Sequence, residues 1–140
     1  MKKIKVIVVE PNKEPYIKEI ENSLKGLQSI VGGYIEYINL EKDVDIICNE
    51  EGKLLNLEFN RVIENDIIAG TFIIAGINNK EGETISIPKK KIRKYLEEFS
   101  LEKHERKIMF MKAKFKERSN LAYMKFFPIE DDKNNNKENN

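Results

Sequence analysis

The residues able to do chemistry fall into a few small groups. Cys48 closes an apolar run and is the chain's single cysteine, and His104 is its single histidine. A thiol becomes a nucleophile only with a base or a helix N-terminus beside it. His104 lies far along the chain in a charged stretch, so Cys48 reads as a buried, inert thiol. One Cys and one His also fall short of a zinc ligand set. No catalytic residue, metal or cofactor is therefore expected. The glycines supply no phosphate loop. Gly70 and Gly76 are followed by no Lys-Ser/Thr pair, and Gly32-Gly33 follows a helical pattern where a dinucleotide fingerprint would precede one.

Two polar groups remain as binding candidates. Asn49, Glu50, Glu51 and Lys53 surround Gly52 in a turn between apolar runs, a place where binding groups often sit. The plainer reading is a solvated turn, with Gly52 available for positive φ. Asn60 and Arg61 follow the apolar Leu54, Leu55, Leu57 and Phe59, which return to the core. The guanidinium fork of Arg61 suits a carboxylate or phosphate. With no phosphate cradle nearby, an ion pair with Glu50 or Glu51 is favoured. That pairing places the Asn49–Lys53 turn close to Asn60-Arg61.

The charge layout is the third candidate. With 25 Lys/Arg and 24 Asp/Glu the net charge is +1, which excludes an acidic nucleic-acid mimic and a protein basic throughout. The neutrality conceals polarity. Residues 1–87 hold 10 basic and 15 acidic residues, 88–118 hold 12 and 5, and 119–140 hold 3 and 4. Lys89, Lys90, Lys91, Arg93 and Lys94 open the basic part, and Lys112, Lys114 and Lys116 would share one strand face. Such a stripe binds phosphate backbones or an acidic partner; it also reads as a solvated face answering the acidic region.

These groups need elements to position them. Residues 3–10 read as a central strand, because Val6–Val9 are consecutively apolar and β-branched. Pro11-Asn12 ends it. Ile17, Ile20, Leu24, Leu27 and Val31 recur at spacings of three and four, which predicts one helix from Pro15 to Gly32-Gly33. Residues 34–38 and 44–48 are strands joined at Glu41-Lys42-Asp43. Asp66–Ile77 is the best strand region, and 84–87 a short extended piece. Pro88 opens a second helix to about residue 102, with Ile92, Tyr95, Leu96 and Phe99 on its apolar face. In 106–116, Met109, Met111, Ala113 and Phe115 alternate with Phe110 and lysines. That period of two predicts a strand paired near Leu121–Phe127, although Lys, Met and Ala favour helix.

The sum is a small α+β domain: a mixed or antiparallel sheet with about two helices packed on one face. Its divisions are a body at 1–103, a basic Met/Phe-rich extension packed on it at 104–129, and a disordered tail at 130–140, where apolar residues run out. A lone cysteine suits a reducing cytoplasm. The apolar run near the start is too short for a signal peptide, and no run approaches the length of a membrane span.

From Val6 to about Phe99 the sequence resembles the family known as domain of unknown function 3846. The resemblance is carried by Val8-Val9-Glu10-Pro11 and Glu14-Pro15-Tyr16, by Val31-Gly32-Gly33-Tyr34-Ile35-Glu36, by Cys48-Asn49-Glu50-Glu51-Gly52-Lys53-Leu54 with Leu57 and Asn60-Arg61, and by Asp66-Ile67-Ile68-Ala69-Gly70-Thr71-Phe72. Leu57-Glu58-Phe59-Asn60 departs from the family's Leu-Pro-x-Asn, and residues 100–140 lie outside the pattern. The resemblance implies a small protein of a phage, plasmid or integrative element, and no established catalytic residues. The expected function is a non-catalytic binding protein acting on a host protein or other macromolecule, or sequestering a small ligand, with counter-defence as the role such a genetic setting suggests. The alternative is a nucleic-acid-binding accessory protein using 88–118; an enzyme is the third reading. The oligomeric state is left open.

Overall fold

A computed structural model of the protein describes residues 2–64 and 66–126, with backbone alone for Phe115 and residues 118–126. Strands β1 (Lys3–Val9), β2 (Tyr16–Glu21), β3 (Ile35–Glu41), β4 (Val44–Asn49), β7 (Phe72–Asn78) and β8 (Glu83–Ile85) form one six-stranded sheet. Its order is β2-β1-β7-β4-β3, with β8 on β7. Each of these pairings is antiparallel. Strands β5 (Phe59–Ile63) and β6 (Asp66–Ala69) form a separate hairpin. Helices α1 (Leu24–Val31), α2 (Ile92–Glu98) and α3 (Leu101–Phe126) complete the α+β architecture, and a single turn of 3-10 helix, Lys89–Lys91, leads into α2.

The dense β-branched runs occupy the centre, as their composition demands. Val6–Val9, Val44, Ile46, Ile47, Ile73 and Ile74 are all buried. Pleating sends alternate side chains to opposite faces. One face packs Val6, Val8, Ile47 and Ile73 against Leu27 and Val31 of α1. The other packs Ile7, Val9, Ile46 and Ile74 with Ile68 of the hairpin and with Tyr95 and Phe99 around α2. The helices thus lie on both faces, not on the single face expected. Each fully buried aliphatic or aromatic side chain contributes roughly 1.5–3 kcal/mol.

Two expected elements are overturned. The helix predicted from Pro15 is half strand. Tyr16–Glu21 pairs with β1 over its whole length, from Val8↔Tyr16 to Lys3↔Glu21. The ladder of a strand as apolar as β1 outweighs a helical stripe of modest propensity. The helix starts only where Ser23, in extended conformation, accepts a hydrogen bond from the Gly26 N–H at 3.0 Å. That is an N-cap. Gly32, at φ 82°, closes α1 as expected, its N–H donating to Gln28 O.

The strand predicted at 106–116, with its partner from Leu121, is helix throughout its described part. The buried residues His104 and Ile108, with half-buried Leu101, recur at spacings of three and four, and Lys, Met, Ala and Glu are good helix formers. The chain divides into two compact units, residues 1–108 and those from Met109 on. In the second unit α3 exposes Met109 and Phe110, and the Lys114 ammonium lies 5.0 Å from the Phe110 ring centre. The expected tail at 130–140 lies outside the described residues.

Candidate functional site

The Asn49–Lys53 candidate is a built turn. Asn49 ends β4 and is buried. Its Nδ2 donates to Val31 O at 3.3 Å and its Oδ1 accepts from the Glu51 N–H at 2.8 Å. One side chain thus ties the end of α1 to the start of the turn. Further backbone bonds close the loop: Leu55 N–H to Glu51 O, Asn56 N–H to Lys53 O, and Leu57 N–H to Gly52 O. Gly52 serves by close approach and not, as expected, by positive φ. A Cβ there would meet Ala69 O at 2.5 Å, so only glycine lets the turn seat on β6. The positive φ belongs to Asn56, at 57°. Lys53 pairs with Asp66, holding that carboxyl below its usual range.

Leu54 and Leu55 do not return to the core as expected; they are 81% and 55% exposed. Beside them Tyr34 is 69% exposed. The backbone of residues 51–57 is hydrogen-bonded within the turn, and from this frame both leucines face outward. Two cavities flank the turn and share Asn49 and Glu51. One, about 300 Å³, lies between Gln28, Gly33, Tyr34 and Leu55. The other, about 390 Å³, is lined by Glu36, Ile38, Cys48, Leu54 and Asp66 among others.

Cys48 is buried, and burial, then the negative charges of Glu36 and Asp66, push its thiol up to about 11. It is a thiol at neutral pH. His104 lines a different cavity, of about 540 Å³, with Leu40, Val62, Phe99 and Lys107. Among the described residues no group of three or more His, Cys, Asp or Glu is placed to hold a metal ion.

Asn60 and Arg61 form a second polar centre, and here the expected pairing fails. Arg61 pairs with Ile68 of β6, against which the Gly52 turn also seats, and Asn60 lies at the register shift between Phe59↔Ala69 and Arg61↔Ile68. The Arg61 side chain reaches neither Glu50 nor Glu51. It is fully buried and donates from Nε to Phe99 O at 2.9 Å, from Nη1 to Asn60 Oδ1 at 2.7 Å and from Nη2 to Lys13 O at 2.6 Å. Asn60 Nδ2 donates to Val9 O and Gly70 O. Arg61 thus spends its fork on carbonyls that secondary structure leaves open, and burial lowers its pKa from the usual arginine value. No sequence signal marks this use, because the acceptors are mostly backbone atoms of distant segments.

The basic residues are divided as well. Lys91 binds Glu41 at 2.7 Å and Asp43 at 2.5 Å, and Lys94 binds Glu41 at 3.2 Å while lying 5.2 Å from the Tyr95 ring centre. Lys91 draws both carboxyls below their usual range. These two lysines clasp α2 to the β3–β4 hairpin. Lys89, Lys90 and Arg93 sit outside these pairs, and all three are exposed. Lys112, Lys114 and Lys116 do not all share a face: on the helix Lys112 and Lys116, four apart, lie on one side and Lys114 points about 200° from each.

The sequence presents His104 as a lone residue in a charged stretch, yet it is 5% exposed. Its ring stacks on Phe99 at 5.2 Å, and Nε2 lies 2.5 Å from Glu98 O. A carbonyl only accepts, so Nε2 carries the proton. With Arg61 on Phe99 O and Glu14 accepting from the Leu101 N–H, His104 completes the joint between α2 and α3.

The six-stranded sheet, its hairpin and the turn built on β4 lie almost wholly within the span matched by a known family. The family model described as domain of unknown function (DUF3846) matches residues 4–100, and the chain belongs to that family. Comparison with curated proteins and with solved structures gives no match. Among the described residues no helix is long and apolar enough to cross a membrane.

Proposed function

We propose that this chain is a non-catalytic binding protein that occupies a host macromolecule through the turn from Asn49 to Leu55. The observation that supports the reading is the contrast within that turn. Its frame is fixed by Asn49 and by backbone hydrogen bonds, while Leu54, Leu55 and the neighbouring Tyr34 stand in solvent beside two cavities. Exposed apolar side chains on a rigid frame lose little conformational entropy on binding, which is how such anchors contribute to affinity. The thiol state of Cys48 and the structural use of Arg61 and His104 leave the remaining polar groups suited to recognition.

The test is affinity capture from host lysate, with and without nuclease, using the parent protein and the Leu54→Asp and Leu55→Asp variants. A nuclease-resistant partner lost from both variants, with their melting temperatures unchanged, is the expected result. Retention by both variants overturns the reading. The alternative, nucleic acid binding through 88–118, is favoured by exposed Lys89 and Lys90. It predicts nuclease-sensitive capture, and affinity for duplex DNA falling with salt at a log–log slope of roughly −0.9 per phosphate neutralised.

A further inference from the structure

The sheet order leaves β3 at an edge, bonded to β4 alone. Its register shows which backbone groups are open. Glu50 N–H donates to Tyr34 O at 2.9 Å, and Glu36 faces Cys48, and Ile38 faces Ile46, at steps of two along the same ladder. In an antiparallel ladder bonded and non-bonded pairs alternate. The N–H and C=O of Ile35 and Tyr37 therefore point away from β4, into the open edge. The ladder runs unbroken to Asn39, where a bulge before Glu41 ends it.

Open edges are normally guarded by lysine, proline or a covering element. The opposite edge, β2, carries Lys18 in mid-strand, and its Tyr16 hydroxyl is tied to Glu10 at 2.6 Å. Strand β3 contains no lysine and no proline. Its flanks carry recognition groups on both faces. Ile35 and Tyr37 lie on the α1 side, where Tyr37 is half exposed. Glu36 lies on the other side and lines the cavity shared by Cys48, Glu50, Glu51 and Leu54. Among the described residues Glu36, Glu50 and Glu51 have no cationic partner.

We infer that the β3 edge accepts an extended segment of a partner protein as an added strand, with a lysine or arginine of that segment beside Glu36. This rests on the binding-protein reading and names the chemistry of its partner. Main-chain bonds at Ile35 and Tyr37 supply affinity and the side chains beside them supply selectivity, as in strand addition generally. Charge decides between occupants. A second copy pairing edge to edge would bring two sets of Glu36, Glu50 and Glu51 together, and like charges on adjacent strands are destabilising. A cationic segment meets the opposite condition.

The probes are two labelled seven-residue peptides, one alternating valine with lysine and one alternating valine with glutamate, titrated by fluorescence polarisation. The lysine peptide is expected to bind at least tenfold more tightly, and to slow hydrogen exchange at the Ile35 and Tyr37 amides. Tyr37→Pro removes an outward N–H that β4 does not use, so binding should fall at least tenfold while the fold persists. Glu36→Gln, which keeps shape, should erase the preference between the peptides even if the proline variant proves unstable. Equal affinity for both peptides, no binding of either, or full binding by Tyr37→Pro overturns the inference. A concentration-dependent dimer with the same two amides protected overturns it in favour of a second copy. None of these outcomes touches capture through Leu54 and Leu55, so failure here is distinguishable from failure of the binding reading.

Discussion

Asn60-Arg61 and the Asn49–Leu55 turn both abut strand β6, and they are built in opposite senses. At Asn60-Arg61 polar side chains are taken wholly inside and matched to oxygens: the Val9, Gly70, Phe99 and Lys13 carbonyls, and the Asn60 amide. At the turn the backbone bonds are satisfied locally, while apolar side chains are left outside. Buried polar groups with complete partners belong to folding, since leaving one unmatched costs about 1–3 kcal/mol. Leucines held in water by a closed turn gain nothing for the fold. The comparison assigns stability to Asn60-Arg61 and leaves recognition, as proposed above, to the turn.

The largest effect expected is that of Arg61→Ala. Truncation strands the Phe99 carbonyl and the Asn60 oxygen in the interior and frees the part-buried Lys13 carbonyl, so the expected loss is about 2–6 kcal/mol, at roughly 1–3 kcal/mol for each buried acceptor. Urea denaturation measures it, and a loss under about 1 kcal/mol would place Arg61 with the turn as a recognition residue.

Next in size is the pH response of the α2–α3 joint. Burial lowers the pKa of His104 from 6.5, with Lys107, Arg61 and Lys103 acting in the same direction and the Glu98 carbonyl opposing. The unfolded chain therefore takes up its proton first as pH falls. Stability from this group is complete above pH 6.5 and declines below it until the folded-state pKa is passed, at no more than about 1.4 kcal/mol per pH unit. Denaturant midpoints between pH 8 and 5 should show the decline, and His104→Gln should flatten it. The carboxylates lowered by Lys91 and Lys53 add their losses only below about pH 4.5.

Smaller still is Lys91→Ala. Its pairs with Glu41 and Asp43 are partly solvated, and solvent screening leaves such pairs little net weight, so only a small shift in the urea midpoint is expected. The effect should shrink further in about 1 M salt. Smallest is Leu54→Ser, expected within about 0.5 kcal/mol of the parent. If it instead destabilises by about 2 kcal/mol, as a truncated core leucine does, the turn is part of the core and the contrast fails.

Much of the frame is legible in the residues. Val6–Val9 announce a strand buried on both faces, and Gly32 announces the end of α1. What escapes is whatever depends on a distant partner. Ile17 and Ile20, three apart, fit a helix face, and only pairing with β1 overrides them: in β2 they point to opposite sides, Ile20 buried and Ile17 46% exposed. Ser23 marks the true helix start, but a serine amid a continuous apolar stripe carries little weight. Met109–Phe115 alternate as a strand does, while the deeper signal is Leu101, His104 and Ile108. At the candidate site the turn at Asn49–Lys53 is readable from its composition. The outward leucines are not, because a run containing Leu54, Leu55 and Leu57 looks like core until the turn's own hydrogen bonds are known. Arg61 invites a carboxylate partner, and carbonyl oxygens leave no trace in a sequence.

The joint at Phe99–Ser100 has a consequence for how this gene can change. The family match stops at residue 100, but the compact unit runs to Ile108, and its last turns bring His104 and Ile108 inside. An ancestor spliced at the family boundary would have lost the ring that stacks on Phe99 and the proton that holds Glu98 O. A domain cut at residue 100 therefore needs residues 101–108 restored, or another segment that covers the Phe99 ring and donates to the Glu98 carbonyl.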